Sequence, residues 1–204
     1  MKPFLFFAVV FFILNFSWAS VEGSKKRLVI LGDSLTEGYG VARDSAYPNL
    51  LQTKIDSDGK NWLVVNAGIS GSTSASSLSR LRWQLRNKPD LLLLALGAND
   101  GLRGLKIEEM RKNLEAAIEL AQKENLKIVL LGMQMPPNYT ESYAAEFRKV
   151  FPALAKKYQI DIYPFLLDGV AGHPDLNQAD GIHPNEKGHA IIAERLYGFL
   201  KGML

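Results

Sequence analysis

Short apolar runs alternate with longer amphipathic segments along most of the chain. Each run is too brief for a helix and ends in small or polar residues, which is typical of buried strands in a parallel sheet. The runs predict five strands, at 27–31, 62–66, 91–96, 127–131 and 160–163. The run at 91–96 shows no polar alternation, so we expect it at the centre of the sheet, buried on both faces.

The segments between the runs have the periodicity of helices. They predict five helices, at 47–57, 74–86, 107–124, 142–158 and 186–200. The third carries an apolar face at helical spacing, formed by Met110, Leu114, Ala117, Ile118 and Ala121. Asn185 is the expected N-cap of the last helix, and Pro152 is expected to kink or break the fourth. The alternation predicts an α/β domain with a five-stranded parallel sheet in a three-layer α/β/α sandwich.

The N-terminus differs from the rest of the chain. Lys2 is followed by a mostly apolar run over 4–16 and then by small residues at 17 and 19, where a signal peptidase would read them. A bilayer span needs about 20 apolar residues, and this run is shorter. We therefore expect a secretory signal peptide over 1–19, one domain over 20–204, and a periplasmic or secreted protein. An uncleaved membrane anchor is the alternative.

The composition excludes several classes of function. The chain has no cysteine, so it has no disulfide, thiolate metal site or cysteine nucleophile. Its 24 basic and 21 acidic residues give a net charge of +3 and are scattered. No basic cluster interleaved with aromatic residues is present, so we expect no nucleic-acid partner.

Polar residues follow several of the predicted strands, and such loops meet at one edge of a parallel sheet. Ser34 follows the first strand and is a candidate nucleophile, which needs a base to remove its proton. Asp180 precedes His183 by three residues, so its carboxylate can hold one ring nitrogen while the other faces a serine. His173 is a competing base, and His189 is interpreted as a packing or surface residue. Taken alone, each of these motifs also fits an ordinary turn.

Gly71 and Asn99 are candidates for the donors of an oxyanion hole. A backbone N–H of Gly71 and the side-chain amide of Asn99, with the N–H of Ser34, can surround a developing negative oxygen. Gly71 also fits a loop glycine with an unusual backbone angle, and Asn99 fits an Asx turn.

Four blocks of the sequence resemble, in order and spacing, those of the SGNH (GDSL) hydrolases. They are Gly-Asp-Ser-Leu at 32–35, Gly-Ile-Ser-Gly at 68–71, Gly-Ala-Asn-Asp at 97–100 and Asp-Gly-Ile-His-Pro-Asn at 180–185. The flanking segments at 65–73, 97–104 and 135–139 are most similar to the bacterial periplasmic thioesterase/lysophospholipase/arylesterase branch of that family.

The resemblance implies a flavodoxin-like sandwich and a serine esterase. It implies that Ser34 is the nucleophile, that His183 is the base and that Asp180 orients it. It also implies that Gly71, Asn99 and the Ser34 amide hold the oxyanion. Asp33 then fixes the nucleophile turn, and loops 101–105 and 135–143 border the acyl pocket. The expected substrates are small acyl esters, thioesters or lysophospholipids, with no metal, organic cofactor or obligate protein partner.

Other functions fit the sequence less well or remain open. The chain lacks the G-x-S-x-G of α/β-hydrolases and the G-x-G-x-x-G of dinucleotide-binding domains. A metal hydrolase would have to use residues without a recognised ligand spacing, namely Asp168, His173, Asp175, Asp180 and His183. A carbohydrate acetylesterase of the same family and a non-catalytic binding module on the same fold remain open.

Overall fold

A five-stranded sheet forms the middle layer of the protein in a computed structural model, which describes residues 24–204. All strand pairs are parallel, and the order across the sheet is β2-β1-β3-β4-β5. The strands are β1 (Lys26–Gly32), β2 (Trp62–Gly68), β3 (Leu91–Ala95), β4 (Lys127–Leu131) and β5 (Asp161–Tyr163). The five predicted strands and the predicted fold class are confirmed.

Helices pack in two groups against the sheet, with α2 against α7 and α5 against both α3 and α6. The long helices are α2 (Tyr47–Ser57), α3 (Ser77–Leu85), α5 (Ile107–Lys123), α6 (Glu141–Tyr158) and α7 (Glu186–Leu200). Two short helices, α1 (Ser34–Glu37) and α4 (Ala98–Leu102), follow strand ends and were not predicted. Single 3₁₀ turns occupy Arg43–Ser45, Ser74–Ser76 and Pro174–Leu176.

The helix predictions hold apart from two details. Helix α3 begins three residues later than expected, because Ser74–Ser76 forms a 3₁₀ turn. Pro152 was expected to kink or break the helix, and the break is wrong, since α6 continues through Pro152 to Tyr158. Proline has no N–H, so the Arg148 carbonyl lacks its usual helical hydrogen bond. Pro152 lies on the exposed face of the helix, where water can hydrate that carbonyl. The predicted cap at Asn185 is confirmed by its side chain, which accepts the N–H of Gly188.

The core sits on both sides of β3. Residues Leu91 to Leu94 are all fully buried, as expected for a central strand whose successive side chains point to opposite faces. The predicted apolar face of α5 is likewise buried. Burying each such leucine or isoleucine contributes about 1.5–3 kcal/mol, which makes this sheet a rigid support for its loops.

The order of the strands defines where a ligand can bind. The chain leaves β1 to form β2 on one side and then returns to form β3 on the other. The helices that follow β1 and β3 consequently diverge, and a crevice opens beyond the carboxyl ends of these two strands. Ser34 begins the helix after β1, and Asn99 lies in the helix after β3.

A buried polar chain connects α7 and α2 to the segment after β1. The Tyr47 N–H donates to His189 Nδ1 at 3.3 Å, and the Tyr47 and Thr36 hydroxyls are 2.7 Å apart. The Thr36 carbonyl in turn accepts a hydrogen bond from the Asn66 side chain at 2.9 Å. His189 is only 1% exposed, so its interpretation as a packing residue holds.

Within residues 24–204, no helix combines the length and the apolar character that a bilayer crossing requires. The signal peptide predicted over 1–19 lies outside the described residues.

We expect His189 to make folding sensitive to acid. Burial, together with the charge of His183, lowers the pKa of His189 to about 4. In the unfolded chain the pKa is about 6.5, so the unfolded state binds the extra proton between these values. A contribution of about 3 kcal/mol, fully present above pH ~6.5, is therefore lost as the pH falls to about 4. Urea unfolding of the wild type and of His189→Gln measures it, and their difference in free energy should shrink on acidification.

Asp33 also titrates in this pH range, so its effect has to be separated from that of His189. Burial raises the pKa of Asp33 to about 6, so its contribution to stability changes in the opposite direction over nearly the same range. Both proteins retain Asp33, and its effect cancels in the difference. A difference that stays constant from about pH 7 to about pH 4.5 would contradict the role assigned to His189.

Candidate active site

Three side chains from two distant parts of the chain form a hydrogen-bonded line at the crevice. Ser34 Oγ lies 2.9 Å from His183 Nε2, and His183 Nδ1 lies 2.7 Å from Asp180 Oδ2. The other carboxylate oxygen of Asp180 accepts the backbone N–H groups of Ile182 and His183, both at 3.0 Å. The structure therefore brings together the predicted Ser34, His183 and Asp180.

The loop that carries Asp180 and His183 is closed by its own hydrogen bonds. The Gln178 N–H donates to the His183 carbonyl at 2.8 Å, and Asn177 forms an antiparallel bridge with Pro184. Asn185, which caps α7, also donates from its side chain to the Asp175 carbonyl at 2.9 Å. The last helix thus anchors the loop, and His183 is held at a defined position relative to the sheet.

The charge of Asp180 determines which ring nitrogen of His183 carries the proton. Burial acts to raise the pKa of Asp180, but the hydrogen bonds from the His183 ring and from two backbone N–H groups outweigh it, and the pKa is lowered. The carboxylate is ionised and accepts only, so neutral His183 carries its proton on Nδ1. Its Nε2 is then free to accept the hydroxyl proton of Ser34.

Ser34 is presented by a tight turn in which Asp33 acts as the cap. Asp33 Oδ1 accepts the Leu35 N–H at 3.0 Å at the start of α1, in agreement with the expected role of Asp33 in the turn. The turn needs glycine at 32, because a Cβ there would lie 1.9 Å from the Thr36 hydroxyl. Asp33 is 1% exposed, and this burial is what raises its pKa.

The two candidate oxyanion donors differ in how directly they reach the crevice. Asn99 lines the same cavity as Ser34, and its amide donates to the Ser72 carbonyl at 3.0 Å and lies 3.5 Å from Asp33 Oδ2. Gly71 is not among the residues that line the cavity. It has the positive φ, +75°, of a loop glycine, and its carbonyl accepts a hydrogen bond from Arg103 at 2.9 Å. Its assignment as a donor stays a prediction.

A buried contact that the sequence analysis missed joins the loops of these two residues. The Asp100 side chain is 3% exposed and accepts both the N–H of Ser74, at 2.7 Å, and its hydroxyl, at 2.6 Å. Asn113 donates to the same hydroxyl at 3.0 Å. The segment after β3 is thereby locked to the segment after β2. The only signal in the sequence was an acid beside Asn99 at the end of a buried strand.

An apolar cavity of about 440 Å³ opens beside Ser34. Its apolar lining consists mainly of Leu35, Leu102, Met133, Met135, Pro136, Pro137, Phe165, Leu167 and Ile182. Residues from both loops predicted to border the acyl pocket are among them. That this cavity holds the acyl group stays a prediction. The hydroxyls of Tyr139 and Tyr143 join the two loops by donating to the carbonyls of Leu102 and Leu105, at 2.7 and 3.0 Å.

Three of the five side chains named as possible metal ligands have other partners in the structure. Asp168 pairs with Arg195, and Asp180 pairs with His183. In the part of the chain that the structure describes, no group of three or more such side chains is arranged to hold a metal ion.

Several known proteins that are similar to this chain in sequence or in fold are hydrolases. The family model described as GDSL-like lipase/acylhydrolase matches residues 30–191. An arylesterase of Vibrio mimicus is 37% identical over 183 residues, or 89% of this chain and 92% of that protein. Thioesterase 1/protease 1/lysophospholipase L1 of Escherichia coli K12 is 36% identical over 193 residues, or 94% and 88%. The crystal structure of TesA superposes with a TM-score of 0.84 at 38% identity, covering 88% of this chain and all of that one.

Proposed function

The chain belongs to the GDSL-like lipase/acylhydrolase family of ester hydrolases, and on that premise we propose that it cleaves carboxylic esters through an acyl-enzyme on Ser34. The observation that carries the proposal is the hydrogen-bonded line from Ser34 through His183 to Asp180. A serine hydroxyl becomes nucleophilic only when a base takes its proton, and His183 Nε2 is oriented to do so. A non-catalytic binding module would have no use for this line.

The first half of the reaction forms the acyl-enzyme. The Ser34 hydroxyl proton passes to His183 Nε2 while Oγ bonds to the ester carbonyl carbon. The ionised Asp180 stabilises the imidazolium that results. When the tetrahedral intermediate collapses, the bond to the leaving group breaks, and the leaving alcohol or thiol takes the proton from His183. Water then attacks the acyl-enzyme with the proton transfers repeated in the same order, which frees the acid and Ser34.

The negative oxygen of the intermediate needs hydrogen-bond donors in place before the reaction. We assign this role to the N–H groups of Ser34 and Gly71 and to the amide of Asn99. That amide has two N–H groups. One holds the Ser72 carbonyl at 3.0 Å, and the other makes a longer contact of 3.5 Å with Asp33 Oδ2, which the substrate oxygen would replace. The Asp100–Ser74 contact keeps the two donor loops in register, which avoids a reorganisation cost when charge develops.

The apolar cavity suits the acyl part of the substrate. Each methylene group moved from water into such a lining contributes about 0.8 kcal/mol. An acetyl group would leave most of the 440 Å³ unfilled, which argues against a carbohydrate acetylesterase. The names of the relatives, an arylesterase and a thioesterase/lysophospholipase, agree with acyl esters, thioesters and lysophospholipids as substrates.

We also propose that the protein is exported and that its leader is removed after Ala19. The support is the sequence pattern alone: a basic start, a short apolar run, and Ser17 and Ala19 at the positions that signal peptidase reads. Expression in a Gram-negative host should give a periplasmic protein whose N-terminal sequence begins at Ser20. Ala19→Arg should block this cleavage. Periplasmic material that still begins at Met1 would contradict the proposal.

Ser34→Ala should remove the activity without unfolding the protein. We expect the rate of hydrolysis of p-nitrophenyl octanoate to fall by at least about a thousandfold, since no other group can form the acyl-enzyme. The wild type should hydrolyse the octanoate with a higher kcat/KM than the acetate, because only the longer chain fills the cavity. The thermal melting temperature should stay close to that of the wild type.

Ser79→Ala provides the matched control for this experiment. Ser79 is an exposed residue of α3 whose hydroxyl bonds only to the Ser76 carbonyl one turn earlier, so its loss should leave turnover intact. Turnover that survives in Ser34→Ala would refute the acyl-enzyme mechanism. A wild type that prefers the acetate would favour the acetylesterase alternative.

Asn99→Ala should slow the chemical step more than it weakens substrate binding. Losing one oxyanion donor costs about 3 kcal/mol of transition-state stabilisation, so kcat should fall by about a hundredfold or more with a small change in KM. Asn138→Ala is the control, because Asn138 is exposed in the loop that borders the cavity and does not line it. Equal effects of the two substitutions would refute the role assigned to Asn99.

A further inference from the structure

Tyr39 places an exposed aromatic ring directly against the base. The ring centroids of Tyr39 and His183 are 4.8 Å apart with planes inclined by 44°, yet Tyr39 is 53% exposed. Aromatic side chains usually stabilise a protein through burial, so an exposed tyrosine ring beside the reacting groups suggests a role in binding substrate.

The backbone of Tyr39 is held on both sides, which keeps the ring in this place. Its N–H donates to the Ser34 carbonyl at 3.0 Å, and its carbonyl accepts the Gln178 side chain at 2.7 Å. The same Gln178 nitrogen also donates to the Pro184 carbonyl at 3.0 Å. Tyr39 is thus tied to the segment that carries the nucleophile and to the loop that carries the base.

The position of the ring relative to the cavity indicates which part of a substrate it meets. Tyr39 contacts His183 but does not line the apolar cavity. If the acyl chain occupies the cavity, the leaving group must lie outside it and within reach of His183 Nε2, from which it takes its proton. The ring of Tyr39, which is exposed, contacts His183 and lies outside the cavity lining, is available to a group in that position.

Building on the proposed function, we propose that Tyr39 forms a leaving-group subsite for planar aromatic alcohols. Aromatic rings prefer offset or edge contacts with centroids about 4.5–7 Å apart, and an exposed ring beside His183 offers such a contact to an incoming aryl ester. When the tetrahedral intermediate collapses, the bond between the carbonyl carbon and the aryl oxygen breaks. The aryl oxide then takes the proton from His183 Nε2 and leaves as the phenol.

The test compares two esters that share one acyl group, phenyl butyrate and ethyl butyrate. Both form the same butyryl-enzyme, so only kcat/KM, which includes the departure of the alcohol, reports on the leaving group. We expect Tyr39→Leu to lower the ratio of kcat/KM for the phenyl ester to that for the ethyl ester by about two- to tenfold. Tyr39→Phe, which keeps the ring, should retain the wild-type ratio.

Trp83→Leu is the matched control, since it removes an exposed aromatic ring of α3 that does not line the cavity. It should leave the ratio unchanged. The subsite is refuted if Tyr39→Leu slows both esters equally, or if Tyr39→Phe lowers the ratio as much as Tyr39→Leu does. Butyrylcholine, whose leaving group is a cation without an aromatic ring, is a third substrate. The subsite is also refuted if Tyr39→Leu lowers kcat/KM for butyrylcholine more than for phenyl butyrate. Ser34→Ala is measured in the same series. If it abolishes hydrolysis of both esters, any of these outcomes for Tyr39 refutes the subsite and leaves the proposed function standing. Persistent hydrolysis by Ser34→Ala refutes the proposed function itself.

Discussion

The pairing of β1 with both β2 and β3 is the constraint on which the rest of the structure depends. Because the chain adds β2 on one side of β1 and β3 on the other, the segments that follow β1, β2 and β3 share one sheet edge without blocking it. Ser34, Gly71 and Asn99 come from these three segments. The fully buried leucines of β3 are closely packed, which makes the sheet a rigid support for the loops that carry these residues.

Three carboxylates serve this arrangement in three different environments. Asp33 is buried, and the loss of water raises its pKa to about 6, while its oxygen caps the turn that presents Ser34. Asp180 has donors on both oxygens, which lower its pKa and keep it charged beside His183. Asp100 is buried against Ser74 and serves the geometry of the donor loops. The same functional group thus supplies a cap, an orienting charge and a connection between loops, according to its surroundings.

His183 lines the apolar cavity and also contacts the exposed ring of Tyr39, which lies outside the cavity lining. This asymmetry separates the two halves of an ester, one recognised by burial and the other by contact at the surface. The hydroxyls of Tyr139 and Tyr143 connect the cavity loop to the last residue of α4, Leu102, and to Leu105 just after it. The loop that lines the apolar cavity is therefore connected by hydrogen bonds to the helix that carries Asn99.

The sequence by itself determined what depends on local patterns. Hydrophobic periodicity identified the five strands, the long helices and the buried face of α5, and the residue type predicted the cap at Asn185. The spacing of Asp180 and His183 predicted their contact, because both lie in one turn. Tertiary structure alone decided the Asp100–Ser74 contact, the placement of Tyr39 against His183, and the continuity of α6 through Pro152. These depend on which distant segments pack together and which faces water can reach, and no local pattern of residues records either.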